Sequence, residues 1–217
     1  MKYLFLLMTV LFSQFVFGQI SKQVGIKTIP NVTVFNLNGN KASLPKLAAN
    51  KITFIDFWFI PCGPCFAEMG MLHNLYDTYK NDTSINFMTI TFSDSAFVRD
   101  LVQNRNSDSN DVYDYFRSTS ALDTFRLPVY FIDGYMTPMR YFKANSNGKG
   151  FSGKNWPGAG DKNLMPDQVF MFSAYPTILI YDTTGKLVFS RSGFTKKGEA
   201  QEMKDIQNCI TGLMLKK

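Results

Sequence analysis

Apolar residues fall into distinct rhythms along the chain, and each rhythm predicts a different element. Between Asn31 and Leu44, Val32, Val34, Phe35 and Leu37 lead into and around Asn38-Gly39-Asn40. Near-alternation broken by Asn-Gly predicts a β-hairpin. Residues 52–59 form a continuous apolar and aromatic run with a single acid, Asp56, the pattern of a central strand buried on both faces. From Cys65 the apolar positions step to Met69, Leu72, Tyr76 and Tyr79, spacings of four and three that predict a helix ended by Asn81-Asp82. Residues 85–92 predict a second strand, 96–103 a short helix and 127–132 another strand. Two further runs, 176–181 and 186–190, flank Asp182-Thr183-Thr184-Gly185 as a second hairpin, and 197–215 closes the chain as an amphipathic helix.

The order of these elements implies an α/β class: a mixed central sheet covered by helices. Two segments stand apart. Between Gly134 and Pro166 there are six glycines, three prolines and four asparagines with little periodicity. So long a loop is read as an insertion from the core (about 134–166), not a second domain. Its aromatics, Tyr135, Tyr141, Phe142, Phe151 and Trp156, suggest a lid or docking surface, and a flexible decoration is the alternative. At the start, Lys2 precedes an apolar stretch running to Phe17. Residues 1–18 read as a secretory signal peptide cut near Gly18/Gln19, with an uncleaved membrane anchor as the alternative. The expected domain is 19–217, exported to the periplasm or cell envelope. No cysteine precedes Cys62, which argues against lipoprotein anchoring.

Composition narrows the classes without naming a function. The 217 residues are 45% hydrophobic, 15% aromatic and 18% charged, which supports one core and excludes a disordered chain. A net charge of +6 is mild and scattered, with no basic stripe for nucleic acid. Three cysteines and one histidine are too few for a disulfide scaffold and leave little for a metal site.

Chemistry enters at Cys62-Gly63-Pro64-Cys65, directly after the buried run and at the start of the helix. At i and i+3 on a helix two α-carbons lie about 5 Å apart, within disulfide range. The first sulfur meets the unpaired N–H groups and dipole of the helix start, which favour a thiolate and make Cys62 the nucleophile. Cys65, one turn inside, is placed to attack the resulting mixed disulfide. Pro64 lacks only an N–H that the first turn would leave unpaired. Competing readings are half a zinc site, for which only His73 and Cys209 remain as further ligands, and an inert structural disulfide.

Asp56-Phe57-Trp58 followed by Cys62-Gly63-Pro64-Cys65 resembles the active-site segment of thioredoxin-fold proteins. With the export signal, the hairpin and Cys65-Phe66-Ala67-Glu68-Met69, the chain resembles the TlpA/ResA group of extracytoplasmic thiol–disulfide oxidoreductases. Tyr175-Pro176-Thr177 is similar to that superfamily's cis-proline loop. The resemblance implies a thioredoxin-like fold and a redox-active Cys62–Cys65 disulfide in place of any bound cofactor. It also implies substrate contact around Trp58, Pro61, Gly63, Pro64, Tyr175 and Pro176. The chain departs from the pattern at Pro61, where Trp is usual, at Gly70, where Pro is usual, and at Asp56, where the group commonly has Asn.

Asp56 is an acid in an apolar strand, so burial should raise its pKa; two positions before Trp58, it shares that residue's face and is expected to relay a proton to Cys65. Glu68, three residues past Cys65, is expected to tune the thiols or contact substrate. His73 is expected on the helix surface, Cys209 as a buried small apolar residue, and Met69 and Met71 as core. The Gly-Pro dipeptide is that of thioredoxin, whose potential lies at about −270 mV against about −120 mV for the oxidant DsbA. By that analogy the expected role is a reductase, fed by a membrane electron donor and acting on exported disulfides such as apocytochrome c cysteines. A disulfide-forming oxidase, a peroxidase and a non-catalytic binding or metallochaperone module are the alternatives.

Overall fold

The computed structural model describes residues 25–106, 111–134 and 166–216. Among these residues seven strands form one mixed sheet: β1 (Thr33–Asn36), β2 (Lys41–Ser43), β3 (Ile52–Trp58), β4 (Ile85–Thr91), β5 (Val129–Ile132), β6 (Thr177–Tyr181) and β7 (Leu187–Ser192). Their order across the sheet is β2-β1-β5-β4-β3-β6-β7. The helices are α1 (Leu44–Ala48), α2 (Gly63–Tyr79), α3 (Ser95–Val102), α4 (Val112–Ser120), α5 (Pro166–Phe170) and α6 (Glu199–Met214). Strand β3 pairs parallel with β4 and antiparallel with β6, so it lies at the centre. That position explains its unbroken apolar run: all seven of its residues are buried.

Alternation along β3 splits the core in two. Ile52, Phe54 and Trp58 join the cluster beneath α2, α4 and α6. Ile55 and Phe57 join the opposite cluster with Leu44 of α1 and Phe170 of α5. Asp56, in step with Phe54 and Trp58, therefore points toward α2 and not toward α1.

Both expected hairpins are present. In the first, Gly39 takes a φ of +80° at the tip and Asn36 Oδ1 accepts the N–H groups of Asn38 and Asn40. In the second, Asp182 Oδ1 accepts from the N–H groups of Thr184 and Lys186, and Gly185 holds the positive φ that closes the turn. Three short helices were not expected from the pattern: α1, α4 and α5. Helix α5 begins at Pro166, so the segment read as an insertion ends in regular structure. The signal segment and residues 135–165 lie outside the described residues.

Gly70 sits within α2, and a methyl group there would meet nothing within 4 Å. Gly70→Ala is expected to raise stability by about 0.5–1 kcal/mol, read from the denaturant midpoint, because only backbone entropy changes.

Candidate active site

Strand β3 delivers the chain into a short turn, Phe59-Ile60-Pro61, before α2 begins. That turn is pinned from β4's end: Ile60 N–H donates to Ser93 Oγ at 2.7 Å, and Thr91 Oγ1 donates to the same oxygen at 3.0 Å. Cys62 is then the N-cap of α2 in extended conformation, and its Sγ accepts the N–H of Cys65 at 3.2 Å. A sulfur thus takes the place that Ser or Asp usually fills, facing donors the first turn leaves unpaired. Cys62 and Cys65 are joined as a disulfide, with 5.2 Å between α-carbons, as the spacing predicts. Cys62 keeps 5% exposure and Cys65 1%, so an incoming thiol reaches Cys62 first.

Aromatic side chains gather about the turn that carries Cys62. Pro61 and Pro64 are exposed. The peptide bond before Pro176 is cis, and so is the bond before Pro61. Tyr175 is held by Phe59, Phe92 and Phe172, with ring centroids 5.2, 5.3 and 5.1 Å away, and its hydroxyl donates to Asp167 Oδ1 at 3.2 Å. On the other side stands Tyr115 of α4, half-exposed and packed on Phe66 at 5.4 Å. Its hydroxyl would lie 3.1 Å from a Cβ on Gly63, so the glycine lets this side chain approach the dithiol turn. Tyr115 escaped the sequence reading. Asp111 before Val112 and Phe116, four apart, was the available signal, though a short helix carries little of it.

Trp58 corrects an expectation. It is wholly buried, its ring against Phe66 and Phe125 at 6.2 and 5.3 Å, so it forms the floor under α2 and not a substrate-facing surface. Glu68 is likewise 1% exposed, which removes direct substrate contact from its expected roles.

Below the disulfide's helix lies a buried polar group of side chains. Among the described residues, both carboxyl oxygens of Asp56 and Oε2 of Glu68 lack side-chain hydrogen-bond partners. Burial pushes the Asp56 carboxyl up to about 8, against a small opposing pull from the Phe57 N–H. Glu68 is raised well above the usual carboxylate range, first by burial and then by the charge of Asp56, while Arg191 pulls it back. The two acids therefore sense each other and titrate as a pair. Arg191 of β7 forms an ion pair with Glu202 of α6, which is also buried. Neither residue was singled out from sequence.

Two further expectations change. His73 is buried, not on the surface: its Nε2 accepts the Arg126 N–H at 3.4 Å and its ring meets Phe125 edge-on at 6.0 Å. Burial, with the nearby Arg126 charge, lowers its pKa to about 4. A histidine kept neutral by folding contributes stability above about pH 6.5 that is lost as pH falls toward 4. His73→Gln should flatten that acid-side loss in melting temperature. Cys209 is half-buried at the edge of the α2-side core, and not enclosed as expected.

No family model matches the chain. Over 58 residues it is 40% identical to thiol-disulfide oxidoreductase ResA of Bacillus thuringiensis (strain Al Hakam) and to that of Bacillus anthracis, covering 27% of this chain and 32% of each relative. The chain thus spans about a third of the length of the curated relatives it matches. Its backbone superposes on the solution structure of a candidate protein disulfide isomerase from Bacteroides thetaiotaomicron with a TM-score of 0.50, 12% identity, and 87% and 93% of the two chains covered. A thiol-disulfide oxidoreductase from Bacteroides fragilis gives 0.47 at 14% identity, over 83% and 99%. The chain has a thioredoxin-like fold, and it resembles the TlpA/ResA thiol–disulfide oxidoreductases.

Proposed function

We propose that this protein is a thiol–disulfide oxidoreductase that reduces disulfides in exported proteins. The observation that carries the reading is a pair of cysteines one helical turn apart, the outer one capping a helix start with 5% of its surface exposed and the inner one enclosed. In the reduced protein the Cys62 thiolate attacks a substrate disulfide, forming a mixed disulfide and releasing one substrate thiolate. Cys65 gives its proton to the Asp56–Glu68 pair and attacks Cys62 Sγ, releasing the second thiolate. The substrate gains two electrons and the protein is left as the Cys62–Cys65 disulfide. Pro61, Gly63, Pro64 and the backbone around Tyr175 and Pro176 form the surface along which an extended substrate segment lies. A membrane dithiol partner then restores the reduced form. Candidate substrates are apocytochrome c cysteines or other exported disulfides, as the resemblance to the TlpA/ResA group implies.

Equilibration with glutathione or dithiothreitol tests the direction. A reductase is expected near about −270 mV, with ready reduction of insulin disulfides; a value above about −150 mV makes the protein an oxidase instead.

A further inference from the structure

Strand register places the Asp56 site in a larger arrangement. Asp56 pairs with Ile178 across β3 and β6, and Ile178 pairs with Arg191 across β6 and β7. Directly paired residues share a face, so Asp56, Ile178 and Arg191 form one row on the side covered by α2 and α6. Onto that row α2 lowers Glu68 and α6 lowers Glu202, both almost wholly buried. Arg191 pairs with Glu202, and its side chain also acts on Glu68. Two buried carboxyls, Glu202 and Glu68, thus share one guanidinium, set two strands from Asp56.

Charge balance decides what this arrangement does. Buried carboxyls without partners prefer to be neutral, since an isolated ion pays a large desolvation cost. Burial pushes both Asp56 and Glu68 toward the protonated form, and a fully protonated pair would leave no base for the Cys65 thiol. Arg191 opposes that push, but only with the part of its charge that Glu202 leaves unspent. Asp205 of α6 is exposed and acts weakly on Arg191, and Phe194 packs beneath the guanidinium at 5.9 Å. His73, farther along α2, faces Arg126 and Asp77.

We propose that Arg191 is a positioning residue for the exchange reaction: divided between Glu202 and Glu68, it limits the proton load of the Asp56–Glu68 pair so that one carboxylate is free to take the Cys65 proton when the mixed disulfide is resolved. The proposal rests on the oxidoreductase reading above. The step balances: Cys65 S–H loses its proton to the carboxylate, a Cys65–Cys62 sulfur bond forms, the Cys62–substrate bond breaks, and the substrate leaves as thiolate.

The reduced protein with 5,5′-dithiobis(2-nitrobenzoate) separates the two steps. Attack by Cys62 releases one coloured thiolate and leaves a mixed disulfide; attack by Cys65 releases the second. In Arg191→Met the first release should match the wild type. The second should slow about tenfold at pH 7 and recover as pH rises, its profile moved up by about one unit. Arg191→Lys should restore the wild-type profile. Glu202→Gln frees Arg191 for Glu68 and should move the profile the opposite way, toward acid. A merely structural role predicts the same direction of change in Arg191→Met and Glu202→Gln. That result, or a second-release profile unmoved in Arg191→Met, overturns the proposal. If Arg191→Met fails to fold, the opposed shift in Glu202→Gln decides alone: an acid shift supports the proposal, and no shift or an alkaline one overturns it. A wild-type protein that releases only one thiolate and forms no Cys62–Cys65 bond contradicts the oxidoreductase reading itself, a failure distinct from that of Arg191.

Discussion

Cys62→Ser is expected to abolish disulfide reduction, by about a thousandfold or more, while Cys65→Ser loses turnover in a different way. Without Cys62 there is no sulfur at the helix start, and Cys65, 1% exposed, is out of a substrate's reach. Without Cys65 the first attack still proceeds, and the protein stalls as a mixed disulfide through Cys62. Expression of Cys65→Ser in the native compartment, followed by non-reducing electrophoresis and mass spectrometry, should therefore yield adducts on Cys62 that Cys62→Ser does not give. Those adducts identify the substrates directly. Equal trapping by both variants would contradict the assignment of roles.

The second large effect is on stability. Asp56 is buried, has no side-chain partner among the described residues and titrates near 8 when folded, against 3.8 for an ordinary aspartate. A carboxyl whose folded pKa is raised destabilises the fold above the unfolded pKa, because the unfolded chain ionises it freely and the folded one does not. The penalty is absent below about pH 4, grows as pH rises, and is complete near pH 8. An Asn amide in the same place carries no such charge penalty, and its unpaired neutral group costs about as much as the neutral carboxyl it replaces. Asp56→Asn is thus expected to stabilise the protein by a few kcal/mol at pH 8 and by much less at pH 5, as measured by denaturant unfolding. The same variant should resolve mixed disulfides more slowly at pH 8 and above, where the Asp56 carboxylate has formed and is able to take the Cys65 proton. A gain in stability joined to a loss in rate marks a residue kept for chemistry and not for the fold. Equal stability changes at the two pH values would show that Asp56 is not held neutral by folding.

The parts of this site that were legible in the sequence are those carried by local spacing. Cys62 and Cys65 declare their geometry within four residues, and Asp56 is conspicuous because an acid interrupts a run otherwise fit for the centre of a sheet. Arg191 was not legible in the same way. Phe189-Ser190-Arg191-Ser192 reads as the polar end of an outer strand, and only the register through Ile178 brings it onto the row of Asp56. Its partner Glu202 reads as an ordinary acid in the first turn of a helix. His73 was misplaced for a related reason: Arg126 and Phe125, which cover it, lie about fifty residues away and outside the helix whose periodicity was being read. Trp58 was carried over from the resemblance as a contact residue, yet alternation along β3 already places it with Phe54 and Asp56 on the face that α2 covers.

The rate of Cys62 alkylation by iodoacetamide as a function of pH, in the reduced protein, tests the central claim most directly. A thiol that caps α2 and accepts the Cys65 N–H should titrate well below the ordinary cysteine value of about 8.5, at about 7 or lower. A midpoint at or above 8.5 would mean that the helix start does not hold Cys62 as a thiolate, and the proposed chemistry would lose its nucleophile.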